Sequence, residues 1–521
     1  MSEGGAEHLT LPLTAATVPD EVFTDLPSRV RSLAQHQPEA VALIDAETRM
    51  SSAELALMMD RSATALAQAG VTPGDVVASL AGVSVDHVLL YLGAAALGAA
   101  MAPLPTSAHP DALTRMIENS GADLLLADAS APDLPDQAGR LRDLGGFIET
   151  VRSADPAPAR TLGADGLFDI IYSSGTTGLP KGIEHDAIFR DRQIRRLAGF
   201  GLGPGTVTLI STPVYSNTTL AALLPALGLG STMVLMRKFD ERRFLELAQK
   251  HRVTHAMLVP VQLRRLLDHP EFDSFDLSSF QVKLATSAPL PAPLMQEILD
   301  RWPGRMVNIY GMTEGGVSAI LDGGAHPDKL HTVGRPPANA QIRILDDEGR
   351  ELPVGETGEV VGRSATIMLG YRKAPETTRE AVWISPEGEA FIRTGDMGRL
   401  DEDGFLTLLD RRKDMIISGG FNIFAVDLEN VLSGHPAVAE AAVIGVPSRR
   451  WGETPVACVA LHSGAAAVAG QEILDWTNAQ LGKTQRLSDL AILPELPRNA
   501  IGKVLKRELK DRWAEIGGER V

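Results

Sequence analysis

The sequence has a single cysteine, Cys458, among 521 residues. That excludes an intrachain disulfide framework and a cysteine-built zinc site. Set in ValAlaCysValAla, Cys458 reads as a small core residue and not as a catalytic thiol. An excess of basic charge is missing too: 49 Lys and Arg stand against 66 Asp and Glu, a formal net charge of −17. Wholesale binding to nucleic acid or to an anionic membrane needs a basic face, so neither partner is expected. An anionic ligand would need a locally positive site. Basic clusters occur at Arg192, Arg195 and Arg196, at Arg237, Lys238, Arg242 and Arg243, and at Arg449 and Arg450. Each reads as a solvated face. A secretory leader is also lacking, because MSEGGAEHLT is acidic and polar where a leader is basic and then apolar. The simplest compartment is the cytoplasm. The apolar runs 88–104 and 219–236 approach spanning length, but both are rich in Ala and Gly and neither has basic flanks. They fit buried helices or helix–strand pairs better than membrane spans. No internal repeat of about 20–50 residues is visible.

What remains is an ordinary globular composition, 44% hydrophobic and 22% charged, in a chain long enough for more than one domain. A strand-like patch at 40–48 precedes a helix capped by Ser51 or Ser52, with Glu54 near the third helical position. VTPGDVVASL reads as turn then strand, 85–104 as a helix, and 123–127 as a strand. This alternation to about residue 320 predicts an α/β architecture with mainly parallel sheets. After about residue 330, IRILDDEGREL, GETGEVVGRS and GRLDEDGFLTLLD read as short strands around Gly and Asp turns, a β-rich subdomain. Past DRRKD (410–414) a last segment of about 110 residues returns to helix and strand, a small separate domain.

Within the first part lies YSSGTTGLPKGIEH, residues 172–185. A strand ending at IleIleTyr feeds a run of hydroxyls, glycines and one cation, Lys181. Glycines let backbone approach a ligand closely, and successive amides form an anion-binding concavity. A polyphosphate suits it; a plain polar loop from strand to helix is the alternative. The stretch is neither a Walker loop nor GxGxxG. Further on, NIYGMTE (308–314) sets an aromatic, a glycine, a hydroxyl and a carboxylate together, suited to stacking on a base and to holding Mg²⁺ through Glu314. TGD (394–396) places Asp396 after a strand, where it can accept from ribose hydroxyls. DRRKD adds Arg411, and PRNAIGK puts Lys503 on a turn.

In this order, SSGTTGLPKG, YGMTE, RTGD, DRRKDMIISGG and PRNAIGK resemble the motifs of the adenylate-forming superfamily, most closely the acyl-CoA synthetases, over about residues 25–510. The resemblance implies a large N-terminal domain (1–410) of two α/β subdomains plus a β-barrel-like one, a hinge at 411–413 and a small mobile α+β C-terminal domain (414–521). It implies ATP, Mg²⁺ and coenzyme A as the groups used. A carboxylate attacks the α-phosphorus of ATP to give an acyl-adenylate and pyrophosphate; a thiol then displaces AMP. By the same resemblance, Thr176, Thr177 and Lys181 hold the β- and γ-phosphates, Glu314 binds Mg²⁺ and Thr313 contacts the α-phosphate. Asp396 and Arg411 grip the ribose. Adenine lies between Tyr310, with Gly311 and Met312 beside it, and Ser287–Ala288–Pro289. Lys503 bridges carboxylate and α-phosphate. Lys413 matches the hinge, and Ser418–Gly419–Gly420 the thiol tunnel. A homodimer is the expected assembly.

Two positions depart from relatives. PVYSNTT (213–219) keeps the aromatic Tyr215 but has Ser216 where many carry His, and Phe421 follows SerGlyGly where many acyl-CoA ligases have Glu. Expected acyl-pocket residues are Tyr215, Ser216, Asn217, Thr286, Gly311, Met312, Gly315 and Gly316. They include no cation or carboxylate for an amino acid, which favours an uncharged aliphatic or aromatic acid. The chain ends soon after PRNAIGK without a carrier domain, which favours soluble coenzyme A as acceptor. A carrier-protein phosphopantetheine, and a nucleotide-binding module without turnover, are the competing readings.

Overall fold

The computed structural model describes residues 22–46, 48–132, 134, 141–173, 181–411, 415–418, 421–462, 465, 468–482, 485–499 and 502–516. They form two compact units: Met1–Asp328 with Pro336–Ile342 and Val361–Arg393, and Lys329–Arg335 with Arg343–Val360 and Thr394–Val521.

The first unit carries two mixed, mainly parallel sheets. One has eight strands, in the order Ser318–Asp322, Arg305–Gly311, Val282–Ala285, His255–Leu258, Val207–Ile210, Thr232–Leu235, Val41–Ile44, Arg49–Ser51. The other has seven, in the order Gly370–Tyr371, Lys181–Asp186, Leu167–Ser173, Ala100–Pro103, Val76–Leu80, Leu124–Ala127, Leu141–Asp143. In the seven-stranded sheet the alternation of side chains decides which core each residue joins. Val77, Met101, Leu126 and Ile171 face helices Ser52–Gln68, Val85–Leu97 and Asn217–Leu229 and share one core with Leu43, Ile210, Met233 and Leu284 of the larger sheet. Their neighbours Ala78, Ala102, Leu125 and Ile170 face the opposite way, onto helix Pro110–Ser120 through Leu113, Met116 and Ile117. Each fully buried Leu or Ile contributes about 1.5–3 kcal/mol.

The capping expected near residue 51 is present: Ser51 accepts from Glu54 N at 3.2 Å and donates its own backbone N–H to the Glu54 carboxylate at 2.7 Å. The single helix expected over 85–104 is instead a helix, Val85–Leu97, and a strand, Ala100–Pro103. Gly98 ends the helix at φ 87°, a left-handed cap that turns the chain into the sheet. The run 219–236 divides the same way, at Gly230. No helix among the described residues is long and apolar enough to cross a membrane.

In the second unit, Val438–Ser448 and Gly452–Leu461 form a long hairpin, flanked by Ile416–Ser418, Phe421–Ile423 and Asp489–Ile492. Alternation again splits the residues. Val443, Ala457 and Val459 pack on helices Ala425–Ser433 and Gly470–Gln480, whereas Ile444, Val456 and Cys458 pack on Leu509 and Trp513. Cys458 is fully buried, and burial pushes its thiol up to about 12, in keeping with a core role. The β-rich stretch appears as expected, with strands Gly358–Ser364, Ala390–Leu400 and Leu406–Arg411.

Candidate active site

The glycine-rich stretch joins strand to strand, not strand to helix. Leu167–Ser173 and Lys181–Asp186 are antiparallel neighbours, with Ser173 opposite Lys181 and Asp169 opposite His185. The ladder fixes Ser173 and Lys181, the described residues on either side of the stretch. Thr176 and Thr177 lie outside the described residues. Lys181 is described: its Nζ stands 4.9 Å from the centre of the Tyr371 ring, an arrangement that attracts a cation to the ring face. Strand alternation puts Lys181, Ile183 and His185 on one face. Ile183 packs in a cluster with Tyr371, Ile367, Met368 and Ile392.

Tyr371 also donates its hydroxyl to Glu314 Oε1 at 2.8 Å. Burial, and then the Glu314 carboxylate, raise the Tyr371 hydroxyl far above its ordinary range, so it stays a donor. Glu314 itself is buried, 8% exposed, and its backbone carbonyl accepts from Met368 N at 2.8 Å. Among the described residues Oε2 takes no hydrogen bond.

Strand Arg305–Gly311 delivers Tyr310, Gly311 and, in the turn beyond, Met312, Thr313 and Glu314. The turn is shaped by Gly315 and Gly316, at φ 71° and 74°. A Cβ on Gly315 would lie 2.3 Å from the Thr366 carbonyl oxygen, while Gly316 N donates to that same carbonyl at 2.7 Å. Both glycines were expected to line an acyl pocket. The described contacts account for them as a backbone requirement of the turn.

A buried polar network lies behind this turn. The Thr313 carbonyl accepts from His185 Nε2 at 2.7 Å, and His185 Nδ1 lies 2.7 Å from Asp169 Oδ1. Arg190 donates to Asp169 at 2.9 Å through Nε and 2.8 Å through Nη2, and Tyr91 donates to Asp169 at 2.6 Å. Burial alone would raise the Asp169 carboxyl; Arg190 and then His185 outweigh it and hold it well below the ordinary carboxylate range. Arg190 Nη1 further donates to Gln193 and Asn217, each at 2.8 Å. None of Asp169, His185, Arg190 or Tyr371 was singled out from sequence. A signal existed for one of them: Asp169 is a charge inside the otherwise apolar strand LFDIIY.

The basic cluster Arg192, Arg195 and Arg196, expected on a solvated face, is only partly exposed. Arg192 reaches the Ala365 carbonyl, Arg196 donates to Thr366 Oγ1 at 3.0 Å, and Arg195 pairs with buried Asp191 at 2.8 Å. Helix Ala187–Ala198 therefore uses these guanidiniums as ties. Ser216, one of the two departures noted above, is the buried N-cap of helix Asn217–Leu229 and accepts from Thr218 N at 3.3 Å. Tyr215 is partly buried, with Ser107 as a hydrogen-bond partner. Ser287 sits at φ 76°, a left-handed conformation that costs about 1–3 kcal/mol in a non-glycine residue. Its hydroxyl meets that of Thr218. Ala288 and Pro289 follow it toward helix Ala292–Arg301.

In the second unit, Asp396 lies within strand Ala390–Leu400 and not after it, directly opposite Arg411 in the ladder with Leu406–Arg411. Asp396 N is bonded to Thr394 Oγ1 at 3.0 Å, and Thr394 in turn donates to the Val360 carbonyl at 2.7 Å. Lys503 closes a turn that Asn499 opens: Asn499 Oδ1 accepts from Lys503 N at 2.9 Å, and Asn499 N donates to the Lys503 carbonyl at 2.9 Å. Gly502 takes φ 79° there. Ser418 ends strand Ile416–Ser418, opposite Phe421. Lys413, Gly419 and Gly420 lie outside the described residues.

The profile described as "AMP-binding enzyme" matches residues 30–372, and "AMP-binding enzyme C-terminal domain" matches 427–503. Feruloyl-CoA synthase of Amycolatopsis sp is 32% identical over 487 residues, covering 92% of this chain and 97% of that protein. The fatty acid–[acyl-carrier-protein] ligase ScoC of Streptomyces coeruleorubidus is 31% identical over 505 residues, with 92% and 95% covered. The solved structure of o-succinylbenzoate CoA synthetase (MenE) of Bacillus subtilis, in complex with its acyl-adenylate intermediate, superposes with a TM-score of 0.82 at 29% identity, covering 94% of this chain and 99% of that one. With both profiles matched in order and these relatives aligned over most of its length, the chain belongs to the AMP-binding, adenylate-forming enzyme family.

Proposed function

We propose that the chain is an AMP-forming acid–thiol ligase that converts an uncharged aromatic or aliphatic carboxylic acid to its adenylate and then to the coenzyme A thioester. The observation that carries this reading is the geometry at Tyr371. One buried tyrosine steadies the lysine of the phosphate loop through its ring and the carboxylate of Glu314 through its hydroxyl. Phosphoryl-centre chemistry depends on positioning and charge stabilisation more than on covalent help, and this arrangement supplies both.

Lys181, with Thr176 and Thr177, would neutralise the leaving pyrophosphate. Mg²⁺ fits Glu314, a hard oxygen donor anchored through Oε1, with Oε2 accepting no hydrogen bond among the described residues. When bound, the ion supplies charge neutralisation of the phosphate oxygens. Thr313 would contact the α-phosphate, and Tyr310 and Ser287–Ala288–Pro289 would enclose adenine. Asp396 and Arg411, opposed across their hairpin, would hold the ribose. Lys503 would stabilise charge at the bond being formed. The hinge at Lys413 and the Ser418–Gly419–Gly420 tunnel belong to the same proposal, as do a cytoplasmic location and a homodimer; light scattering on purified protein checks the dimer.

Tyr215, Thr286 and Met312 carry no charge, which supports an uncharged acid. The named substrates of the relatives, feruloyl, fatty acyl and o-succinylbenzoyl, span both aromatic and aliphatic chemistry. Pyrophosphate release over a panel of carboxylic acids, run with coenzyme A, with phosphopantetheinylated carrier protein and with neither thiol, tests the proposal. Acid-dependent release with thioester formed only on coenzyme A supports it. Thioester on the carrier alone would transfer the reading to a carrier-loading enzyme. No release with any acid would leave a nucleotide-binding module.

A further inference from the structure

We propose that His185 is a positioning residue for the nucleotide: by holding the Thr313 carbonyl it orients the Thr313–Glu314 turn toward ATP and Mg²⁺. The inference rests on the ligase reading for the role of that turn. A carbonyl only accepts, so His185 Nε2 carries the hydrogen in the 2.7 Å bond to Thr313. With its carbonyl drawn back to the strand, the residue is pinned at its main chain. Glu314 is pinned at its carboxylate by Tyr371 and at its carbonyl by Met368.

His185 is itself immobilised. Its ring is fully buried, stacked on Phe189 with centroids 4.1 Å apart, and Nδ1 faces Asp169 Oδ1 at 2.7 Å. Asp169 is held in turn by Arg190 and Tyr91. Buried ion pairs are poor devices for stability, because the desolvation cost offsets most of the Coulomb gain. What such a fully bonded network does supply is a fixed orientation. Here the orientation ends on the backbone of the turn that carries the metal-suited carboxylate. The same Arg190 also bonds Asn217, at the start of a helix expected near the acid, so the residues assigned to both substrates share one anchor.

The test uses the full chain. His185→Leu removes the donor and keeps the bulk; His185→Gln returns a donor near the Nε2 position; His185→Asn retains a donor toward Asp169 but is too short for Thr313, and stands in if the Leu variant does not fold. Isothermal titration calorimetry with ATP, with and without Mg²⁺, is run beside the pyrophosphate assay. In His185→Leu the Mg²⁺-dependent gain in ATP affinity is expected to fall about ten-fold and adenylation kcat about ten-fold, with metal-free ATP affinity and KM for the acid held within about two-fold. His185→Gln is expected to recover most of both losses. A folded Leu or Asn variant that keeps the full Mg²⁺ gain, or a Gln variant as impaired as Leu, overturns the inference. If wild-type protein releases no pyrophosphate with any acid, the ligase reading fails instead, and the calorimetric arm alone decides the role of His185.

Discussion

The turn that carries Glu314 and the turn that carries Lys503 are built in opposite ways. The first is fastened by side chains from a buried charged network and by tight backbone contacts, so that even one added carbon on Gly315 would strike the Thr366 carbonyl at 2.3 Å. In the second, Asn499 bonds the Lys503 backbone through both its side chain and its own N–H, and Gly502 turns the chain at φ 79°. Around it, Arg498 pairs with Glu440 at 2.7 Å, a partly exposed contact of the kind worth about 0–1 kcal/mol. A group that must meet the metal in a fixed geometry gains from deep anchoring. Under the proposed function, Lys503 acts at the bond being formed from a turn that Asn499 braces within a few residues. The contrast therefore matches the two roles assigned to Glu314 and Lys503.

Four substitutions press on this contrast. The largest effect is expected for Lys503→Ala, which should lower adenylation by about 100- to 1,000-fold while leaving ATP binding nearly unchanged, because the lost charge acts on the transition state. Calorimetry beside pyrophosphate release would detect the split; unaltered adenylate formation would remove Lys503 from the chemistry. Gly315→Ala should cost about 2–3 kcal/mol of stability, combining a left-handed backbone with a collision against fixed main chain. An unchanged denaturation midpoint would mean that the turn is far softer than its contacts indicate. Lys413→Pro should slow thioester formation about ten-fold more than adenylation, as expected where a conformational step separates the half-reactions. Equal loss of both would count against a hinge there. Tyr371→Phe keeps the ring under Lys181 and deletes only the bond to Glu314, so Mg²⁺ activation should shift by about ten-fold or less, near 1 kcal/mol. No shift would separate Tyr371 from the metal site.

A fifth expectation concerns stability alone and is the smallest. Lys283 is fully buried, its Nζ donating to the carbonyls of Trp302, Pro303 and Gly304 at 2.8, 2.6 and 2.8 Å. Burial pushes its ammonium down to about 7. Below that pH both folded and unfolded chains hold the proton, and the folded state carries the cost of the buried charge. As pH rises from about 7 toward the ordinary lysine range, the unfolded chain binds more protons than the folded one, so stability climbs. Lys283→Met should flatten that climb in thermal melts at pH 7 and 9; a parallel slope in both proteins would contradict it.

How much of this was visible in the residues depends on how local the cause is. The Ser51–Glu54 capping box and the Asn499–Lys503 turn are written within a few residues, and both were legible from pattern, whereas the alternation that splits Val77 from Ala78 was not, because that strand is buried on both faces. The break at Gly98 was not, because an Ala- and Gly-rich run reads equally as one helix or as helix then strand. The ordered motifs pointed to the family, which the matched profiles bear out, yet His185, Asp169 and Tyr371 stayed hidden. Their meaning arises only when strands distant in sequence are brought side by side: Tyr371 reaches Glu314 across 57 residues, and His185 reaches Thr313 across 128. Arg196 misled for the same reason. A helix surface looks solvated until the segment around Thr366 covers it.

Cys458 has a practical corollary. As the sole thiol of the chain, sealed between Ala442 and Ala491 in its sheet and pushed up to about 12, it is closed to reagents that require a thiolate at neutral pH. The protein is thus a ready background for spectroscopy. Paired cysteines introduced at exposed positions such as Leu141 and Ile492 could be tagged with donor and acceptor dyes without first deleting a native residue, which would test whether the distance between them changes during turnover.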